Sequence, residues 1–121
     1  MPHLTLEYTG NLEQEIDAFS RLFLGLHRIL ADVGTIGIKN CKSRAVRLDD
    51  YFIGEGTAGG AFVHLEIRIF EGRSIEVKCE IGRQCLCLLG EYFSASLARS
   101  ELQITVEIID IQRQSYFKLS G

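Results

Sequence analysis

Pro2-His3-Leu4-Thr5-Leu6-Glu7-Tyr8 follows Met1 and holds the only proline of the chain. Leu4, Leu6 and Tyr8 alternate with His3, Thr5 and Glu7, the period-2 pattern of a strand buried on one face. Pro2 starts the apolar line and lands at a sheet end beside a core. Proline is tolerated at the first residue of a strand because no ladder donor is lost there, and on that bland reading Pro2 is a strand start and nothing more. The sharper reading depends on Met1. If the initiator methionine is removed, Pro2 becomes a secondary amine fixed to a rigid sheet, suited to act as general base or nucleophile. A retained Met1 turns the same nitrogen into a non-basic amide. From the residues alone both readings stay open.

Outward from this strand the period changes. Thr9-Gly10-Asn11 breaks the alternation, and Asn11 with Gln14 three residues on predicts a capping box. Leu12, Ile16, Phe19, Phe23, Leu26, Leu30 and Val33 recur at three- and four-residue steps, which predicts a one-sided amphipathic helix from Leu12 to Ala31. Gly34 and Gly37 punctuate its end, and a second strand is expected over Ile38 to Leu48, with Lys42 and Arg44 on one face. Asp49 to Gly60 reads as a glycine-rich loop in which Tyr51-Phe52-Ile53 has the composition of a short strand piece. No Gly-Lys-Ser/Thr follows those glycines, so they do not form a phosphate loop.

Ala61 to Phe70 is the clearest strand, with Ala61, Val63, Leu65, Ile67 and Ile69 on one face and His64, Glu66 and Arg68 on the other. Ser74 is a good N-cap for a second helix striped by Ile81, Cys85, Leu88, Leu89, Tyr92 and Phe93 and ending near Ala98. Leu102, Ile104, Val106 and Ile108 alternate with polar residues in a last strand, and a mixed tail runs from Gln112 to Gly121.

A chain of 121 residues that is 46% hydrophobic forms one domain, 1–121, with a core that needs no metal or disulfide staple. Its net charge is −3 with acids and bases interspersed, so no basic stripe suits nucleic acid and no polybasic patch suits a membrane surface. Glu7, Glu13 and Glu15 occupy the region where a secretory signal would be apolar, and no apolar run reaches the ~20 residues needed to cross a bilayer. The chain is expected to be soluble and cytoplasmic. Cys41, Cys79, Cys85 and Cys87 form no CxxC pair and have no histidine at zinc-finger spacing. Cys85 and Cys87 point to different faces of their helix, so they are expected to be buried reduced thiols acting as small apolar residues rather than metal ligands.

The order strand-helix-strand occurs twice, an internal duplication of β-α-β units. Right-handed crossovers place both helices on one face of a single sheet. The other face carries His3, Thr5, Glu7, His64, Glu66 and Arg68 among other polar residues, and solvent or other subunits must meet it.

Taken together, Pro2-His3-Leu4-Thr5-Leu6-Glu7, Ser43-Arg44, Ala61-Phe62-Val63-His64, Gly72-Arg73-Ser74 and Phe117-Lys118 resemble the 5-carboxymethyl-2-hydroxymuconate isomerase family of the tautomerase superfamily, through essentially the whole chain. The resemblance implies the α/β tautomerase fold: duplicated β-α-β units, a four-stranded sheet with two helices on one face, and a homotrimer assembled around the uncovered faces. It also implies a cofactor-free isomerase that moves a proton between carbons of a small unsaturated 2-keto or 2-hydroxy diacid formed in aromatic-compound breakdown. No metal is implied. Pro2 would be the catalytic base, and Lys42, Arg44 and Arg73 would bind the substrate. A planar guanidinium at Arg73 suits a bidentate carboxylate contact, although a cation at a helix start is disfavoured by the dipole. Lys42 stands where the family more often has arginine, and Arg44 could equally pair with Glu7 or Glu66 at a subunit contact. The glycine-rich loop after Tyr51 departs from a bulkier family segment. Two alternatives follow: a decarboxylase or dehalogenase of the same superfamily, or a non-catalytic trimeric binding protein on the same scaffold.

Overall fold

The computed structural model describes residues 1–12, 19–56, 58–99 and 101–121. Strand β1 spans His3–Thr9, helix α1 Phe19–Gly34, strand β2 Lys42–Leu48 and strand β3 Gly60–Phe70. Helix α2 follows over Ile75–Tyr92, then a short helix α3 over Ser94–Arg99 and strand β4 over Glu101–Ile111. The strands of the described residues form one sheet in the order β2-β1-β3-β4. β1 runs parallel to β2 and antiparallel to β3, and β3 runs parallel to β4. Two β-α-β units therefore meet along β1 and β3, as the duplicated pattern predicts.

The alternation seen in the sequence decides which way each strand faces. Leu4 and Leu6 of β1, and Val63, Leu65 and Ile67 of β3, have no exposed surface. They meet Leu26 and Leu30 of α1 and Ile81, Cys85 and Leu89 of α2, which are equally buried. The helices approach closely at Gly25, where an added Cβ would stand 2.8 Å from Leu88 Cδ2. Burial also pushes the Cys85 thiol up to about 12, as expected for a cysteine that packs as a small apolar residue. That expectation fails for Cys87, which is exposed because it lies off the apolar stripe of α2; Cys79 on the same helix is exposed too. Cys41 is half-buried.

Element ends depart from the sequence reading in three places, and one expectation lies partly outside the described residues. The Asn11–Gln14 box and Ile16 of the first helix fall partly outside the described residues; Asn11 itself sits in a 3-10 turn and donates from Nδ2 to the Gly60 carbonyl at 3.0 Å. Helix α1 continues past Ala31 to Gly34, since Val33 and Gly34 still pack inward, and the left-handed residue after it is Thr35, with φ 53°. A β-branched residue in that region is strained. The second strand begins at Lys42 rather than Ile38, because Ile38–Asn40 curls into a 3-10 turn closed by Asn40 N–H on the Gly37 carbonyl at 2.9 Å. Helix α2 stops at Tyr92, where Phe93 leaves helical geometry with its side chain fully buried. Tyr51-Phe52-Ile53 joins no ladder.

Ser74 caps α2 as expected, its hydroxyl accepting from the Val77 amide at 3.2 Å. The face of the sheet opposite the helices carries aligned polar rows: Lys42, His3 and Arg68 in one, Arg44, Thr5 and Glu66 in the next. No helix among the described residues is long and apolar enough to cross a membrane.

Leu65 lies fully buried in the core, on β3, one of the two central strands of the sheet. Leu65→Ala is expected to cost about 2 to 5 kcal/mol of unfolding free energy. Urea unfolding at fixed protein concentration measures this, and a change below about 0.5 kcal/mol would contradict the packing described.

Candidate functional site

A cavity of about 500 Å³ opens at the end of the sheet where β1 begins. Pro2 lines it, and four parts of the chain surround Pro2: the turn after α1 (Thr35–Gly37 and Asn40), the end of β3 (Ile69, Phe70), Arg73 before α2, and the tail residues Arg113, Tyr116 and Lys118. Pro2 is buried beneath Met1 and stands one residue outside the ladder. Its carbonyl accepts from the Lys42 amide at 3.2 Å, so the missing N–H of proline leaves the sheet end intact.

Arg73 is set by its flanking residues. Gly72 takes φ 119°, a conformation that glycine adopts readily, and turns the chain out of β3; Ser74 then starts α2. Between them Arg73 folds back, and its Nε donates to the Gly34 carbonyl at the C-terminus of α1, at 2.9 Å. The sequence placed this cation at an unfavourable helix N-terminus. In the structure it also satisfies the negative end of another helix, which offsets that penalty. The contact occupies one of the five guanidinium donors.

The sequence reading missed the tail. Arg113 lies over the Phe70 ring at 4.4 Å, and its amide donates to Glu71 Oε2 at 2.9 Å. Tyr116 meets the same ring edge-on at 5.2 Å. Lys118 Nζ stands 3.8 Å from Met1 Sδ. These residues carry no periodic pattern that would tie them to Pro2; the one available signal was the Phe117-Lys118 pair. Lys42 and Arg44 do not line the cavity of their own chain. The Lys42 ammonium turns to the Asn40 carbonyl at 3.4 Å. Arg44 lies on the helix-free sheet face, its Nη2 donating to His3 Nδ1 at 2.8 Å and its Nη1 to Thr5 Oγ1 at 3.3 Å.

Charge collects at this end of the molecule. The α-amino group of Met1 is held below its ordinary range, by burial first and then by Lys42, Lys118, Arg113 and Arg73. His3 is lowered too, by burial first and then by Arg44, Lys42, the terminal amine and Arg68. Such a cavity can favour the neutral form of an amine while attracting carboxylates. A larger hollow of about 800 Å³ lies at the far end of the sheet, beneath the glycine-rich loop, and is lined by Phe52, Phe62 and His64 among others. It contains neither Pro2 nor any lysine or arginine. We therefore place the candidate site at Pro2. No cluster of three metal-ligating side chains occurs among the described residues.

Comparison with known proteins finds relatives along the whole chain. The family profile described as 5-carboxymethyl-2-hydroxymuconate isomerase matches residues 2–120. The chain is 28% identical over 118 residues to a 5-carboxymethyl-2-hydroxymuconate Delta-isomerase of Escherichia coli, covering 98% of this chain and 93% of that protein. A crystal structure of a 5-carboxymethyl-2-hydroxymuconate isomerase from Deinococcus radiodurans R1 superposes with a TM-score of 0.88 at 34% identity, over 99% of this chain and 90% of the other. At 16% identity, a fused 4-OT wild type symmetric trimer shares the fold with a TM-score of 0.66, over 98% of this chain and 93% of the other.

Neighbouring cations disfavour the protonated amine, so removing one raises the pKa of the group. Lys118→Met is expected to raise the pKa of the N-terminal amine, as followed by the ¹³C shift of a labelled terminal residue across pH. An unchanged or lower value would remove Lys118 from the site.

Proposed function

The chain belongs to the 5-carboxymethyl-2-hydroxymuconate isomerase family of the tautomerase superfamily, and from that premise we propose that it moves a proton between carbons of a small unsaturated 2-hydroxy or 2-keto diacid, of the kind formed in aromatic-compound breakdown, without a cofactor. The observation that carries this reading is the gathering of Arg73, Arg113 and Lys118 around the cavity that holds Pro2. A base at a fixed sheet end and cations around it are what a proton shift next to carboxylates demands, because negative charge builds on oxygen as the proton leaves carbon.

In this mechanism Met1 is removed and the Pro2 nitrogen takes the proton from one carbon and returns it to another. Its neutral form is favoured by the same burial and the same cations that lower the Met1 amine. Arg73 holds a carboxylate with the donors left after its bond to Gly34, and Arg113 and Lys118 share the remaining negative charge. Lys42 contributes through its field. Arg44 faces away from this cavity, so its role in binding substrate requires a carboxylate or a neighbouring copy arriving at the helix-free face. Assembly as a homotrimer through that face would supply one, and the almost fully exposed Phe117 and Leu119 are consistent with a covered tail.

Two measurements test the proposal. Ultraviolet spectroscopy with a panel of 2-hydroxymuconate-type diacids is expected to show turnover, and Arg73→Ala to weaken kcat/KM by about 2 to 4 kcal/mol with folding retained. An unaffected kcat/KM would make Arg73 a structural residue only. Light scattering is expected to give three chains per particle; a monomer at every concentration would overturn the assembly and any role for Arg44 across it.

A further inference from the structure

His3 lies between Tyr116 and Arg44, and the chemistry of these three side chains permits one direction of hydrogen bonding. Arg44 Nη2 is 2.8 Å from His3 Nδ1, and Tyr116 Oη is 2.8 Å from His3 Nε2. A guanidinium donates only, so Nδ1 must accept. An imidazole that accepts at Nδ1 is neutral and carries its proton on Nε2. Nε2–H therefore donates to the Tyr116 oxygen, and the hydroxyl's own proton is not used in this contact.

Tyr116 is also part of the wall around Pro2. Its ring is braced edge-on by Phe70 at 5.2 Å, and His3 holds its oxygen from the sheet side. A phenol fixed at both ring and oxygen, with its proton unspent, is a preorganised neutral donor beside a proposed base.

We propose that the Tyr116 hydroxyl is a catalytic hydrogen-bond donor to the keto or enol oxygen of the substrate, held in its donating orientation by His3, which Arg44 fixes as the Nε2–H tautomer. This rests on the function proposed above and deepens it. The cations engage the carboxylates, and Tyr116 engages the oxygen on which dienolate charge appears. His3 is a positioning residue: it touches Tyr116 and not the substrate. The proton moved between carbons is taken up and returned by Pro2 alone, and Tyr116 shares its own without giving it up.

The test is Tyr116→Phe, which keeps the ring against Phe70 and removes the hydroxyl. On any diacid that the wild-type protein isomerises, kcat is expected to fall roughly 10- to 100-fold with KM raised by no more than about tenfold, because the donated bond strengthens as charge develops. Equal kcat in variant and wild type, or a loss confined to KM, would overturn the proposal. A binding measurement separates its failure from failure of the functional reading. Calorimetric titration with 2-oxoglutarate and with glutarate compares two diacids that differ only in the keto oxygen. The variant is expected to lose about three- to tenfold in affinity for 2-oxoglutarate, as for one lost neutral hydrogen bond, and to bind glutarate as wild type does. Equal losses for both acids, or no binding of 2-oxoglutarate by wild type, would refute a hydroxyl aimed at that oxygen even if isomerase activity were found.

Discussion

The structure depends on β1 being held between two strands while being covered by helices on one side only. Leu4, Leu6 and Tyr8 are driven into the core, and the period of the strand then forces His3, Thr5 and Glu7 to the other face. With β2 on one edge and β3 on the other, the start of the strand cannot fray in the way that many chain ends do. Pro2 is carried to a fixed point. The turn after α1, the Gly72 turn and the tail all return to that point, and each brings a side chain to the same cavity.

A chain with net charge −3 makes this cavity cationic by distribution. Its acids are drawn off elsewhere: Asp110 to Lys78 at 3.1 Å, Asp49 to Arg47 at 3.0 Å, Glu107 toward His64 at 3.4 Å, and Glu80 to Arg83. Glu71 approaches the cavity wall, and the contact resolved for it there is the amide of Arg113. The α-amino group is therefore surrounded by lysine and arginine, and the shift in its pKa follows from burial and from these charges in that order. At Arg73 the macrodipole of α1 helps to hold a cation that the start of α2 would repel, so one contact serves both helix geometry and the site.

What could be read from the sequence and what could not divides along a physical line. Strict alternation in 61–69 and three- and four-residue steps in the two long helices are properties of local periodicity, and the sheet, its covered face and the duplication follow from them. Pro2 and Arg73 stood out because a lone proline at a strand start and an arginine between glycine and a helix cap are local anomalies. Arg113, Tyr116 and Lys118 had no such mark: their importance arises when the tail folds back across Phe70 and His3, contacts more than 40 residues apart in sequence. The extension of α1 to Gly34 and the exposure of Cys79 and Cys87 also depend on which helix face the neighbours occupy. The direction of the Tyr116–His3–Arg44 chain needs both distances and the donor rules together.

The central claim is that Pro2 acts as a free amine, and the most direct test joins chemistry to mass. Protein shown by intact-mass spectrometry to begin at Pro2 should isomerise a 2-hydroxymuconate-type diacid, with a rate that rises as its amine deprotonates below the ordinary α-amino range, whereas protein shown to retain Met1 throughout should be inert. Comparable turnover by the Met1-bearing protein would contradict the account, because an amide nitrogen cannot take the proton at neutral pH.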